Sequence, residues 1–414
     1  MSLERIKIIN FCDKVILFSL FAVAFFLPIS KAVIESLSIT AIVFYLVKKF
    51  IAHEDISKTP LNGGIYAYLI VCVFSIFLSS NLKISARTFF AKTLQDIAFF
   101  FAVSETLLRG KRLKIILYIL FISSFILGID GIYQYFTRID FIRYRPRIFE
   151  ERIYASFATP NSFGCYLAMV LPFLLAHFFL KIRLKVSKIL YLGLFLLLFS
   201  CLLLTMSRGA WFAFLSSVLF MGIWIRSLAL FFLIIGIMII VTQPFYPPYL
   251  KERLRNFFIF TDTSSIDRKI IWQAGWKMFI SKPWIGVGLG AFMFNFRKFA
   301  VNGYQFGVPY AHNCYLQMAS EIGIIGLASF LLILALFFYH GIKTLNTKEK
   351  TFTWHVLLAS QAAILGYCVQ MGVDTTLYAL DLGMLFWLVL GIGVAAMKNL
   401  KYEIRKSSVR PSDK

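Results

Sequence analysis

The sequence predicts an all-α polytopic integral membrane protein with about twelve transmembrane helices. Its mean hydropathy is +0.78, with 59% hydrophobic and 15% charged residues, against roughly 25% charged in an average soluble domain. A membrane-spanning helix takes about 20 apolar residues, and stretches of that length recur throughout the 414 residues with short polar breaks between them. These runs are continuously apolar, whereas a closed β-barrel needs short segments of about ten residues in strict alternation.

The first apolar run, Val15–Leu27, is followed almost at once by a second and lacks a small-residue cleavage pattern, so it reads as a retained helix. In chain order, spans are expected at 12–29, 32–49, 62–80, 88–108, 114–136, 161–180, 188–206, 209–225, 228–244, 314–339, 353–372 and 382–397. The fourth carries Lys92, Asp96 and Glu105, and the last is short. Lysine and arginine set the orientation, because short cytoplasmic loops hold their excess. With both termini inside, the inner segments carry 24 of the 43 basic residues, while the short outer turns carry only Lys31, Lys83, Arg87 and Arg208. The expected organisation is 1–244 for helices one to nine, with an outer loop at 137–160, then 245–313 as a large, helical outer loop, 314–397 for helices ten to twelve and 398–414 as a basic cytoplasmic tail.

Both long outer loops are basic. Residues 137–160 hold Arg138, Arg143, Arg145, Arg147 and Arg152, and residues 245–313 hold nine Lys or Arg against Glu252, Asp262 and Asp267. Long loops translocate regardless of charge, so the topology stands. Positive charge gathered there implies an anionic partner, either lipid headgroups or a phosphorylated substrate, and no nucleic acid is expected. The six cysteines show no CxxC and no cluster, which argues against a disulfide framework or a zinc site.

Within the large loop, Ser264-Ser265-Ile266-Asp267 reads as a helix start, with helical periodicity over Ile266–Ile280. Arg268, Trp272 and Gly275/Trp276 then share a face, and an arginine held beside indoles can offer its planar fork to a diphosphate. An interfacial helix whose arginine snorkels to the headgroups fits the same pattern. Pro283 to Gly290 reads as a turn, since no strand precedes its glycines. Ala311-His312-Asn313 is followed by Gly323 and Gly326. A helix starting near His312 would bring the glycines onto the histidine's face, roughly 16 Å deeper, where small residues let a neighbouring helix approach. Ser207-Arg208-Gly209 places an arginine in a tight apolar turn, which calls for an anionic partner or a headgroup.

Together these residues resemble the O-antigen ligase and O-antigen polymerase superfamily of bacterial inner membranes. The ligase-type signature H-[NSQ]-x9-G-x2-[GTY] is satisfied by His312, Asn313, Gly323 and Gly326. Gly131-Ile132-Tyr133-Gln134, Ala155 to Asn161, Ser207-Arg208-Gly209, and Arg268 with Trp272 ahead of Pro283 extend the likeness over roughly 128–326. The resemblance implies a metal-independent glycosyltransferase of the GT-C type at the periplasmic face, without cofactor, whose donor is an undecaprenyl-diphosphate-linked glycan. A ligase passes that glycan to the lipid A–core oligosaccharide. His312 would be the general base, and Arg208 and Arg268 would bind the diphosphate. Asn313, Trp272, Gly323, Gly326 and Asp374 are supporting candidates, Asp374 for orienting His312 or binding acceptor. The outer loops offer no paired carboxylates at metal-ligand spacing.

Two other readings stay open. A polymerase shares donor and fold but joins lipid-linked repeat units. A secondary transporter would use Glu35, Asp96, Glu105, Asp130 and Glu321 as intramembrane sites, although no matching halves with broken helices are visible.

Overall fold

The computed structural model describes residues 3–108, 110–146, 148, 152–178, 185–227, 232, 235–236, 263–300 and 310–409. The expected ninth span, 228–244, falls almost wholly outside them, as does the first part of the large loop. In order, the described helices are α1 (Leu3–Phe26), α2 (Lys31–Ala52), α3 (Asn62–Phe77), α4 (Leu82–Thr88), a π turn (Phe89–Thr93), α5 (Leu94–Thr106), α6 (Gly110–Thr137), α7 (Pro160–Phe178), α8 (Lys185–Leu204) and α9 (Arg208–Ile225). They continue with α10 (Thr263–Ser281), α11 (Phe292–Phe299), α12 (Cys314–Leu345), α13 (Phe352–Met371), a 3-10 turn (Thr376–Tyr378) and α14 (Leu380–Val409). Among the described residues, seven helices are long and apolar enough to cross a membrane, and two more, Asn62–Phe77 and Lys188–Leu204, are apolar but shorter. This is a multi-pass membrane protein.

The bundle is built around α13 and α14. In the most apolar stretch of α14, 94% of residues are buried, against 33% in α1, so among the described residues α14 runs through the centre and α1 lies at the periphery. α13 packs on α7, α9 and α14, and α14 also packs on α5 and α12. Close approach uses small residues, as membrane helices require. A Cβ on Gly366 of α13 would lie 2.6 Å from the Ala213 carbonyl oxygen of α9. The same pair of helices is joined by the Ser217 hydroxyl, which donates to the Ala362 carbonyl at 2.8 Å.

The loops sort to two ends. At one end, Arg143 donates to the Ile29 carbonyl, Arg152 to the Thr205 carbonyl, and the Ser80 N–H to the Val287 carbonyl. At the far end, Lys49 meets Glu105 at 2.7 Å, Lys398 donates to Ser57, and the Thr351 and Thr353 hydroxyls donate to Glu403.

Several elements differ from expectation. The first helix begins at Leu3, and α14 continues through most of the expected tail. The weak fourth span is helical but interrupted by the π turn, which lets Lys92 donate to the Tyr378 carbonyl at 2.6 Å. Its charges are therefore satisfied inside the protein. The expected helix in the large loop is α10, and it is joined by α11. Ile271, Ala274, Met278, Val287, Phe292 and Phe296 form a small core between them.

The largest correction concerns α12. His312 lies outside the helix, which starts at Cys314, and the helix kinks at Gly323, with φ +70° and ψ −174°. The segment packed on the glycine is the turn Pro283–Gly290 instead of a helix. The kink leaves backbone groups without helical partners, and the turn supplies them. Ile324 N–H donates to the Pro283 carbonyl, Val287 N–H to the Ser320 carbonyl and Gly288 N–H to the Glu321 carbonyl, at 2.8–2.9 Å. A Cβ on Gly323 would lie 2.2 Å from the Trp284 carbonyl, so only glycine combines this φ with this contact.

Gly323→Ala should therefore cost about 3 kcal/mol or more, seen as a lowered thermal midpoint of the detergent-solubilised protein. Gly63→Ala, where a Cβ meets nothing within 4 Å, should leave that midpoint nearly unchanged.

Candidate active site

At the end where α7, α9, α12 and α14 begin lies a cavity of about 780 Å³. His312, Arg268, Asp374, Arg152, Asn161, Lys31 and Tyr378 are among the residues lining it. Five chain segments far apart in sequence thus meet at one opening.

His312 is presented by an irregular turn. Its φ is +48°, a left-handed conformation costly for a side chain with a Cβ. Asn313 follows in extended conformation, and its side chain caps α12 by accepting the Leu316 N–H at 3.0 Å. On the other side, Ala311 is held twice. Its N–H donates to the Gln317 side chain at 3.0 Å, and its carbonyl accepts the Trp272 indole N–H at 2.9 Å. The histidine backbone is pinned between these bonds and the cap.

The imidazole Nδ1 lies 3.3 Å from Asp374 Oδ1. Asp374 follows the end of α13, its N–H donating to the Gln370 carbonyl, and its Oδ1 also accepts the Thr375 N–H at 2.8 Å. The Cys314 thiol donates to its carbonyl at 3.3 Å, tying it to the first residue of α12. The histidine side chain is 42% exposed and the aspartate 16%, so the imidazole borders solvent and the carboxylate stands behind it. Burial pushes the Asp374 carboxyl upward, but the hydrogen bond and charge of His312, the Thr375 N–H and the charge of Arg268 outweigh it, holding the group below the usual carboxylate range. A carboxylate on Nδ1 fixes the tautomer that leaves Nε2 to accept a proton.

The expected site residues separate into three groups. His312, Asp374 and Arg268 share the cavity. Trp272, Asn313, Gly323 and Gly326 support it from behind; Trp272 holds the Ala311 carbonyl instead of standing beside a ligand. A Cβ on Gly326 would meet the Ile322 side chain of its own helix. Arg208 opens α9, and the neighbouring Gly209 packs on Gln370 and Val373, yet Arg208 is not among the residues that line the cavity.

The arginines of the shorter loop also divide. Arg143 binds the Ile29 carbonyl, and Arg145 binds the Ala155 and Phe157 carbonyls and lies 3.5 Å from Asp140, so both fasten the loop. Arg152 instead lines the cavity, its fork oriented by the Thr205 carbonyl and the Asn161 side chain, each at 2.9 Å. Arg152, Asn161, Lys31 and Tyr378 were not singled out from sequence. Arg152 gave a signal only as one of five loop arginines, and Lys31 only as an outer-turn cation that meets Asp381 at 3.4 Å.

Residues 192–331 match the profile of a family described as O-antigen ligase. Over that stretch the chain is similar to the O-antigen ligase family. This is the superfamily to which the His312 motif pointed. No curated protein matches the chain. The O-antigen ligase match covers about a third of the 414 residues and contains Arg208, Arg268, Trp272, His312, Asn313, Gly323 and Gly326. It ends before Asp374, and Lys31, Arg152 and Asn161 also lie outside it. The cavity therefore combines residues of the matched segment with residues from the first and last parts of the chain.

The Asp374 carboxylate, held low in the folded state, contributes stability that is present above the unfolded carboxylate range and lost as pH falls through its lowered value. The difference in thermal midpoint between the wild type and Asp374→Asn should accordingly be widest above about pH 4 and narrow on acidification, as melting curves across that range would record.

Proposed function

We propose that this protein is a glycosyltransferase that moves O-antigen glycan from an undecaprenyl-diphosphate carrier to the lipid A–core oligosaccharide. The observation that carries the reading is the His312–Asp374 pair sharing one cavity with Arg268 and Arg152, within a multi-pass bundle that is similar to the O-antigen ligase family over residues 192–331. The similarity to that family supports a transferase acting on lipid-linked glycans; the acceptor and the roles of individual residues go further and rest on the site.

In the reaction, an acceptor hydroxyl attacks the anomeric carbon of the donor sugar. A new glycosidic C–O bond forms, the bond to the diphosphate breaks, and its electron pair leaves with the diphosphate. His312 Nε2 takes the hydroxyl proton, a contribution of typically 10²–10⁴-fold. Arg268 and Arg152 hold the diphosphate and stabilise its developing charge, which fixed donors do well when water is excluded. Arg208, expected as a further diphosphate ligand, opens α9 outside the cavity lining, so the diphosphate is assigned to Arg268 and Arg152. No metal and no cofactor takes part.

The remaining topology belongs to the same proposal: twelve spans in a GT-C arrangement, with 228–244 as the ninth and 245–313 as the large periplasmic loop. The protein sits in the bacterial inner membrane with both termini cytoplasmic and the cavity periplasmic. The positive-inside distribution supports this orientation, because loops expected on opposite sides gather at opposite ends of the bundle. Three of the five acidic residues of the transporter reading have partners inside the bundle. Glu105 meets Lys49, Asp130 accepts the Phe141 N–H, and Glu321 accepts from Gly290, Gln317 and Tyr378.

Expressed in a strain lacking its own ligase, the protein should restore long glycan on lipid A–core, resolved by gel. Polyprenyl-linked ladders without that attachment would indicate the polymerase, and neither product would overturn the transferase. His312→Ala should lower transfer by roughly 10²-fold or more while inserting normally. Arg268→Lys keeps charge but loses the fork, and should still depress transfer strongly. Transfer by the purified protein should survive EDTA; loss restored by one added metal ion would contradict the metal-free reaction.

A further inference from the structure

Glu321 and Gln317 lie on the inner side of α12, each 1% exposed, and neither lines the cavity. A buried carboxylate is costly unless every lone pair it turns inward finds a donor. At Glu321 they do. Oε2 accepts the Gly290 N–H at 3.0 Å and the Tyr378 hydroxyl at 3.2 Å, and Oε1 accepts the Gln317 side-chain amide at 3.2 Å. Gln317 uses its remaining oxygen on the Ala311 N–H at 3.0 Å, one residue ahead of His312. The carboxylate thus ties together the glycine turn behind the site, the Tyr378 segment beside Asp374, and the turn that presents the histidine.

We propose that Glu321, acting through Gln317, is a positioning residue that sets the left-handed backbone of His312 and so aims its imidazole at the acceptor; this rests on His312 being the base of the proposed transfer. The left-handed φ of His312 is a conformation that its surroundings must impose. Trp272 holds the carbonyl of Ala311, and Gln317 holds its N–H. Removing the second bond frees the Tyr310–Ala311 peptide, so that Ala311 can turn about its one remaining bond, to Trp272, and carry the φ of His312 with it, while Arg268, Arg152 and Asp374 stay in place. The rate of the bound complex should suffer, and donor binding should not.

The test compares Gln317→Met and Glu321→Gln with the wild type and His312→Ala, all purified in detergent with an undecaprenyl-diphosphate-linked glycan and lipid A–core. Gln317→Met keeps side-chain length without the hydrogen bonds, and Glu321→Gln keeps shape without the charge. The expected result is a fall in kcat per folded molecule of roughly 10–10²-fold, within the span of base catalysis, with donor KM changed less than about threefold; the thermal midpoint of Gln317→Met should also fall, because Glu321 and the Ala311 N–H each lose a partner. Combined with Asp374→Asn, either change should cost less than the product of the separate losses, since both act through one imidazole. If His312→Ala is inactive while both variants retain wild-type kcat, the positioning role is wrong and the transferase reading stands. If His312→Ala transfers normally, the transferase reading itself falls. A lowered thermal midpoint with unchanged kcat per folded molecule would leave Gln317 and Glu321 as structural supports only and overturn the proposal.

Discussion

Inside an apolar slab, every backbone N–H and C=O must find a partner within the protein, and a broken helix is where that demand is hardest to meet. The break at Gly323 in α12 is met by a segment from elsewhere in the chain, the turn Pro283–Gly290. Its peptide groups exchange hydrogen bonds with Ser320, Glu321 and Ile324 in place of the missing helical ladder. The glycines make the exchange possible, for Gly286, Gly288 and Gly290 all have positive φ and a Cβ on any of them would collide with a neighbouring segment. Helices α10 and α11 flank this turn, so the repair of one kink also fixes the loop structure that delivers Arg268 to the cavity.

The site inherits its geometry from that repair. α10 sits on the first turns of α12, where the Ser320 hydroxyl donates to the Gly275 carbonyl, and Trp272 reaches from α10 to Ala311. Asp374 arrives independently, from the junction between α13 and α14, two deeply buried helices of the bundle. A rigid core element thus supplies the carboxylate, and a docked loop supplies the arginine.

The motif residues were legible because their constraints are local. His312, Asn313, Gly323 and Gly326 are spaced along one helix start, and a cap, a kink and a turn residue leave recognisable traces in sequence. The hydropathy pattern likewise expected a helix at each of the eleven spans that fall among the described residues, and each is helical, seven of the helices being long and apolar enough to cross a membrane; it missed the lengths of α1 and α14, where charged ends continue the helix beyond the apolar stretch. What spacing could not reveal was pairing across the chain. Arg152 and Arg145 look alike in a basic loop, yet one lines the cavity and the other fastens the loop. Glu321 and Gln317 look like stray polar residues in an apolar span, because the groups they satisfy lie at 290, 311 and 378. The kink itself also misled. A continuous helix puts His312 and the glycines on one face, whereas the observed break gives Gly323 a backbone role.

The π turn at Phe89–Thr93 carries a consequence of a different kind. Its wider winding sets the phase between α4, which packs beneath the glycine turn, and α5, which lies along α14 with Val103 filling the space opposite Gly391. Each helical residue advances the winding by about 100°, so losing one residue here would rotate all of α5 against its neighbours and swing Lys92 away from Tyr378. In this segment the count of residues carries information that no single side chain does, and homologous chains should tolerate exchanges of type there more readily than changes of length.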